Sequence, residues 1–392
     1  MNKNQQNIVL LFLGIFLLTI ALFRSSFFWN DDRLVWVFKG LVPLSIFLIM
    51  ISGSRLLKAR WIYLLIPLLL VEFLLFASLE AAGQKQYSST LVRSILRDIY
   101  TNNDRNIPFL DKQMGRYDST LFYTLNPGCW EFSGFEFSTS LQVSKEGVRD
   151  DEASFLHPGI VTLGDSHAMG WGVEQNESFP EVLAKMSGEK VLNLSMASYG
   201  TAREYLTWKK FNPDSCDLLI LQFCTNDIDE NREFVKHRMQ LPISTVEAFR
   251  KWQRQNSINS SYFPFKYTYA AIEYLKRASR NWLTSKRAHS PYEISPLWLE
   301  DFFSIIRLIR KDFNGNIVVF NLESHNTTPD VYNRFKDYLS LHPIEHIYLF
   351  PSYQYLTKED YFTLDDHMNP QGHYKIATQL MDYLTRENLL TH

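Results

Sequence analysis

A doubly wound parallel α/β sheet preceded by three transmembrane helices is the architecture this sequence predicts, and two observations carry it. The first 80 of its 392 residues hold three long apolar runs, and from residue 158 short β-rich runs alternate with segments of helical period. Nearly half the residues, 46%, are apolar, enough to bury a sizeable core. The formal charge of -2 gives no global reason to expect nucleic acid or any strongly charged partner.

The apolar runs are Ile8 to Phe23, Leu34 to Ser52 and Trp61 to Leu79. At about 1.5 Å per residue each crosses, or nearly crosses, a hydrocarbon core of about 30 Å. Phe27, Phe28 and Trp29, just beyond the first run, suit an interfacial aromatic belt. Lys39, Pro43, Pro67 and Glu72 lie inside the other two, and Glu72 is expected to make a packing contact with a neighbouring helix. The loop between runs two and three carries Arg55, Lys58 and Arg60 without an acid, whereas "RSSFFWNDDR" sets two acids against two bases. The positive-inside rule therefore puts the second loop and the amino terminus in the cytoplasm. The expected location is the cytoplasmic (inner) membrane, multi-pass, with everything after about residue 80 periplasmic or extracellular. A cleaved signal peptide competes for the first run, against it the want of a small-residue cleavage site after Phe23 and the two further runs.

Residues 1–80 thus read as a membrane domain and 81–157 as a linker with a β-rich extension. Within the latter, "LVRSILRDIY" is polar and helical in period, "NPGCW" reads as a turn, and "FEFSTSLQV" alternates as a strand does. Cys129, Cys216 and Cys224 allow at most one intramolecular disulfide, and they read as three buried free thiols. Cys216 and Cys224 bracket a predicted strand, too far apart to bridge if it is straight. No metal-ligand spacing joins them, and neither a metal nor a cofactor is expected.

The third region is 158–392. "IVTLGD" precedes a helix around "SFPEVLAKMSG", "KVLNLSM" one around "AREYLTWKKF", and "DLLILQFC" follows; "NIVVFNLE" and "HIYLF" are later strands. Helices are expected around "SPLWLEDFFSIIRLIRKDF", "PDVYNRFKDYLSL" and "QGHYKIATQLMDYL". Such alternation implies βαβ crossovers and a sheet covered on both faces. An aromatic-rich insertion at about 231–294 interrupts it, with twelve Lys and Arg against three Glu up to residue 290. It reads as an amphipathic helical insertion with a solvated basic face, or as a lid that attracts an acidic polymer or anionic headgroups.

Ligands of parallel sheets bind beyond the carboxyl ends of the strands. There the sequence offers Gly164-Asp165-Ser166, then "ASYGTA" with Gly200, then "CTND" with Asn226, and before the last helix "LDDHMNPQGH". This is the inventory of acyl transfer: a nucleophile, a base, an acid to orient the base, and donors for an oxyanion. Ser166 alone reads equally as a helix N-cap, with Asp165 favouring the positive helix end. A phosphate loop lacks its Gly-Lys-Ser/Thr ending, and Ala168 breaks the G-x-S-x-G elbow. His167 reads as a packing or substrate-side residue, His373 as a supporting one in the first turn of the final helix, and Asn369 as fixing the preceding loop.

"GDSHAMGWGV", "NLSMASYGTA", "CTND" and "DDHMNPQGH" resemble, in order and over roughly residues 158 to 390, the four blocks of the SGNH (GDSL-like) hydrolases. "YTLNPG" through "SKEGVRDDE" resembles what precedes this domain in membrane-anchored bacterial members. The resemblance implies a flavodoxin-like sheet, with Ser166 as nucleophile and His367 as general base. It implies an oxyanion hole from the Ser166 and Gly200 N–H groups and the Asn226 amide. Two departures stand out: Cys224 occupies a place where glycine is common, and Leu364 stands where the acid usually does. Asp365, two residues before His367, takes that role here in preference to Asp366, which would have to fold back onto its neighbour's ring.

The leading expectation is a membrane-anchored extracytoplasmic serine esterase acting on acyl, chiefly acetyl, esters of a carbohydrate or another alcohol. An O-acyltransferase modifying an exported polysaccharide, in concert with envelope polysaccharide machinery, would use the same residues. A non-catalytic polysaccharide-binding subunit is the third reading.

Overall fold

The computed structural model describes residues 2–22, 35–57, 66–84, 90–213, 216–263, 265–284, 297–324 and 327–390. The chain divides into two compact units, Met1–Arg105 with Ile258–Ala288, and Asn106–Ser257 with His289–His392.

The first unit is helical: α1 (Lys3–Leu22), α2 (Val35–Leu57), α3 (Ile66–Gln84) and α4 (Thr90–Asn103), joined by the later α10 (Lys266–Thr284). Among the described residues, two helices, Lys3–Ile20 and Ile66–Gly83, are long and apolar enough to cross a membrane by length and composition. In α2 the described apolar stretch is Leu44–Leu56. The loops that hold "RSSFFWNDDR", Lys58 and Arg60 lie outside the described residues. Glu72 is fully buried in α3 and accepts the Thr268 N–H at 2.7 Å, the Thr268 hydroxyl at 3.1 Å and the Tyr262 hydroxyl at 3.2 Å. The acid within an apolar helix is thus satisfied by hydrogen bonds from the insertion, as a buried carboxylate requires. Lys266 and Arg277 of α10 pair with Asp104 and Asp98, the first at 2.7 Å and almost wholly buried. Part of the insertion's positive charge is therefore turned inward, while Lys276 and Arg280 stay exposed.

The second unit opens with two hairpins. β1 (Gly115–Asp118) pairs with β2 (Phe122–Leu125), and β3 (Gly128–Ser133) with β4 (Ser138–Val143), both antiparallel. This corrects two sequence readings. "NPGCW" is not a turn, because Gly128, Cys129 and Trp130 already belong to β3. "FEFSTSLQV" is not one strand, because Phe135, Glu136 and Phe137 form the hairpin tip and the strand starts at Ser138. The alternation of aromatic and polar residues runs straight across the turn, which Gly134 closes by donating its N–H to the Phe137 carbonyl at 2.9 Å. Cys129 is exposed, Cys216 half-buried and Cys224 buried, so the thiols are not uniformly interior.

A five-stranded parallel sheet follows: β5 (Ile160–Leu163), β6 (Val191–Asn193), β7 (Leu218–Phe223), β8 (Asn316–Asn321) and β9 (Ile347–Leu349), in the order β6-β5-β7-β8-β9. This is the doubly wound, flavodoxin-like order, with β7 central and buried along its whole length. Alternate residues feed two cores. Val161, Leu163, Leu219, Leu221, Ile317 and Val319 face one side, with α7 (Thr201–Phe211) and α11 (Leu297–Asp312). Ile160, Leu218, Ile220, Val318 and Phe320 face the other, with α6 (Phe179–Ser187) and α13 (Pro370–Arg386). Continuous apolar strands are what two-sided burial demands. The remaining helices are α5 (Ser166–Met169), α8 (Asp227–Lys236), α9 (Val246–Ser260) and α12 (Pro329–Leu341).

The hairpins form a third core that reaches the strand ends, where Phe109, Phe122, Tyr123, Phe132 and Leu141 pack with Met169, Trp171, Met196 and Tyr199. Two charged residues fasten the junction. Arg149, 1% exposed, donates to the carbonyls of Met169 at 3.2 Å, of Gly170, and of Val173 at 2.6 Å. Asp150 accepts the Asn193 N–H at 2.6 Å, reaching the end of β6. Arg149→Met keeps much of the apolar stem but strips these buried carbonyls of their donor, and is expected to lower stability by about 3 kcal/mol. Urea unfolding followed by tryptophan fluorescence reads the loss.

Candidate active site

Strand order reverses about β5, with β6 on one side and β7 on the other, so the loops after these strands diverge and leave a crevice. At Gly164, after β5, a Cβ would lie 2.6 Å from both the Ala168 Cβ and Gln222 Oε1, so a larger residue would force these neighbours apart. Asp165 caps α5 by accepting the His167 N–H at 2.9 Å, and its own N–H donates to Gln222 Oε1 at 3.2 Å. Ser166 follows at the first helical position, and its backbone N–H makes no hydrogen bond within the described residues. The loop before α13 supplies the rest. Asn369 caps that helix through the Gly372 N–H at 3.0 Å and holds the Glu359 carbonyl at 2.7 Å, fixing the segment between.

Ser166 Oγ lies 2.6 Å from His367 Nε2, and His367 Nδ1 lies 2.5 Å from Asp365 Oδ1. Asp366 Oδ1 stands 3.2 Å from the same Nδ1, but its carboxylate is partly exposed and also lies 3.4 Å from the Ser324 hydroxyl. Asp365 is fully buried, and its second oxygen accepts the Trp171 indole N–H at 3.2 Å. The Trp171 ring stacks on His367 with centroids 4.6 Å apart and planes 16° apart. One tryptophan therefore restrains both the acid and the imidazole. Asp365, Asp366 and His367 bring oxygen and nitrogen atoms within 4.8 Å of one another, as a metal site would. His367 nevertheless has Nδ1 engaged by Asp365 and Nε2 by Ser166, which leaves the ring no nitrogen for an ion.

Of the remaining histidines, His167 is buried with its ring 5.0 Å from that of His367, and burial lowers it to about 4, so it is neutral at ordinary pH. His373 is fully buried and accepts the Phe179 N–H at 3.2 Å, supporting the start of α6.

At the second strand end, the Met196 N–H donates to the Gly164 carbonyl at 3.0 Å, tying that loop to the serine loop. The Gly200 N–H is occupied: it donates to Glu230 Oε1 at 3.1 Å, as does the Arg203 N–H at 3.2 Å, and Arg203 pairs with the same carboxylate at 3.0 Å. Glu230 thus caps α7 from α8. Ser198, two residues earlier, is exposed with φ at 59°, in the left-handed region, and its N–H has no partner within the described residues. At the third strand end the Asn226 amide lies 3.4 Å from Asp165 Oδ2. Glu323, following β8, accepts the Thr225 N–H at 3.2 Å and its hydroxyl at 2.7 Å, bracing the turn that carries Asn226.

The predicted residues Ser166, His367, Asp365 and Asn226 thus meet at one sheet edge, and Gly200 is there with its N–H already taken. The sequence reading missed Trp171, Arg149, Asp150 and Ser198, although all four stand inside segments quoted for other reasons. With a hydroxyl, an imidazole and a buried carboxylate in series, the imidazole can take the hydroxyl proton while the carboxylate orients the ring and stabilises its charged form.

The sequence matches no protein-family model and no curated protein. Solved structures give distant likenesses. An acetyl xylan esterase from the rumen bacterium Butyrivibrio proteoclasticus superposes with a TM-score of 0.33 at 12% identity, over 58% of this chain and 64% of its own. A Corynascus thermopiles (Myceliophthora fergusii) carbohydrate esterase family 2 enzyme with a carbohydrate-binding domain gives 0.35 at 10%, over 58% and 65%. A salicylyl-acyltransferase from a tetracycline biosynthetic pathway gives 0.33 at 15%, over 60% and 56%. Likenesses of this size carry no information on chemistry, which rests on the geometry above.

Burial pushes the carboxyls of Asp150 and Glu323 up to about 7. Acids raised on folding bind more protons folded than unfolded between their ordinary range and pH 7, so this part of the stability is present in acid and lost as pH rises through 7. Thermal unfolding is expected at a higher temperature near pH 5.5 than near pH 7.5, and Asp150→Asn is expected to flatten that dependence.

Proposed function

We propose that the chain is a membrane-anchored serine enzyme that attacks acyl esters outside the cytoplasm, with Ser166 as nucleophile, His367 as general base and Asp365 as the group orienting it. The observation that carries the reading is the continuous relay from the Ser166 hydroxyl through both nitrogens of His367 to a buried carboxylate. His367 Nε2 takes the Ser166 proton as Oγ attacks the ester carbonyl, and returns it to the departing alcohol. Asp365 fixes the tautomer in which Nδ1 carries hydrogen and stabilises the imidazolium. The acyl-enzyme is then released to water by the same exchange in reverse. The free Ser166 N–H and the Asn226 amide are the donors available for the oxyanion, and loss of one such donor costs about 2.7 to 4 kcal/mol. The basic loop between the second and third apolar runs supports the extracytoplasmic side, and a reporter fused after residue 80 tests it by its activity on one side of the membrane only.

The test uses the full chain in detergent with an activated acetyl ester and a fluorophosphonate. Wild type is expected to hydrolyse the ester and to be labelled at Ser166, and Ser166→Ala to lose labelling and at least about 1,000-fold in kcat. Wild-type turnover by Ser166→Ala overturns the assignment. Asp365→Asn is expected to lower kcat by about 1,000- to 10,000-fold, whereas Asp366→Asn changes it little. Free acetate measured on acetylated polysaccharide, with and without an unacetylated acceptor, tells release to water from transfer to a sugar hydroxyl.

A further inference from the structure

We propose that Glu136, at the tip of the β3–β4 hairpin, is a positioning residue that holds the Asp365–His367 loop in register with Ser166. The proposal rests on the serine-enzyme reading for its catalytic consequence. One carboxylate gathers three successive backbone donors: Glu136 Oε1 accepts the Thr363 N–H at 2.5 Å, and Oε2 accepts those of Leu364 at 2.7 Å and Asp365 at 2.8 Å. Consecutive N–H groups converging in this way form a concave anion site, here filled by a side chain of the same protein. The third donor belongs to the catalytic acid itself. The ends of the loop are closed by the Tyr361–Met368 bridge and the Phe362 N–H to His367 carbonyl bond at 3.0 Å, and Glu136 grips its middle from another segment.

The hairpin is in turn fastened to the serine side. Phe132 packs edge-on against Trp171 at 4.9 Å, and Phe137 touches Phe362 at 5.3 Å. At Gly172, with φ at 74°, a Cβ would lie 2.9 Å from both phenyl rings. The Ser140 hydroxyl donates to Glu174 at 2.9 Å. The same tip therefore contacts the segment after Ser166 and the segment before His367, and fixes the distance between them. A relay tolerates little misplacement: an error of about 1 Å costs about 100-fold in rate.

This hold depends on pH. Burial, reinforced by the neighbouring Asp365 carboxylate and opposed by the three N–H donors, pushes the Glu136 carboxyl up to about 7. A carboxyl raised in the held loop binds its proton more tightly there than in a released one, so the hold is favoured in acid and weakens as pH rises through 7.

The experiment compares full-length wild type with Glu136→Gln and Glu136→Ala in detergent, by ester kinetics and by hydrogen exchange of the segment 361–368. Glu136→Ala is expected to lower kcat about 100-fold with KM within about twofold, and Glu136→Gln, whose amide oxygen keeps two of the three bonds, about tenfold. After correction for the intrinsic base-catalysed rate, opening of this segment is expected to increase above pH 7 in wild type and not in Glu136→Gln, a change that mere loss of packing does not produce. Exchange should rise at Thr363, Leu364 and Asp365 while the sheet strands keep their protection. Unchanged kcat, or unchanged exchange in this segment, in a folded Glu136→Gln overturns the proposal. Wild type that neither hydrolyses the ester nor labels at Ser166 overturns the serine-enzyme reading instead, and the exchange result still decides whether Glu136 holds the loop.

Discussion

Burial of a parallel sheet on both faces is the constraint from which the rest of this domain follows. With helices over Val161, Leu219 and Ile317 on one side and over Ile160, Ile220 and Val318 on the other, the strands are apolar along most of their length, Thr162 and Gln222 being buried and hydrogen-bonded exceptions. Unpaired backbone groups and polar side chains collect at the strand ends. Ser166, Ser198, Asn226 and Glu323 all stand within a few residues of the carboxyl ends of β5 to β8. A site at that edge has no rigid element of its own, since each residue sits on a different loop. Its precision depends on what braces those loops.

The bracing comes largely from the segment before the sheet. Arg149 and Asp150 reach the serine loop and the end of β6, and the two hairpins close the third core over Met169, Trp171 and Met196. Buried charge is costly unless fully hydrogen-bonded. Arg149 offsets most of that cost at its two Nη atoms with backbone carbonyls rather than an acid, its buried Nε alone being left without a partner, which makes it a fastener of loop conformation more than an ion pair. Glu72 in the helical unit follows the same logic, held by the Thr268 N–H and two hydroxyls.

What the sequence revealed and what it concealed divide along sequence separation. The strands of the parallel sheet were legible because "IVTL", "LLILQF" and "NIVVFN" are short, nearly continuous apolar runs between polar loops. Ser166, Asp165 and the Asp365/His367 pair were legible because their spacing is local. The β3–β4 turn was not, since the aromatic alternation of Phe135 and Phe137 continues across it and Gly134 is the single local break. Nor was the capture of the Gly200 N–H by Glu230, thirty residues further on in another helix. Trp171 was visible as part of a motif, but its hold on Asp365 spans 194 residues and has no local signature.

Those separations also set an order of events. Ser166 and His367 stand 201 residues apart, and the hairpin tip meets the His367 loop across 227. Contacts this distant in sequence form late in folding, after shorter loops have closed. The sheet can gather β5, β6 and β7 while α13 is still being made, but Ser166 has no imidazole beside it until the segment that carries His367 arrives. Under the proposed chemistry, Ser166 therefore stays unactivated on a nascent chain until the segment around residue 367 is free to fold.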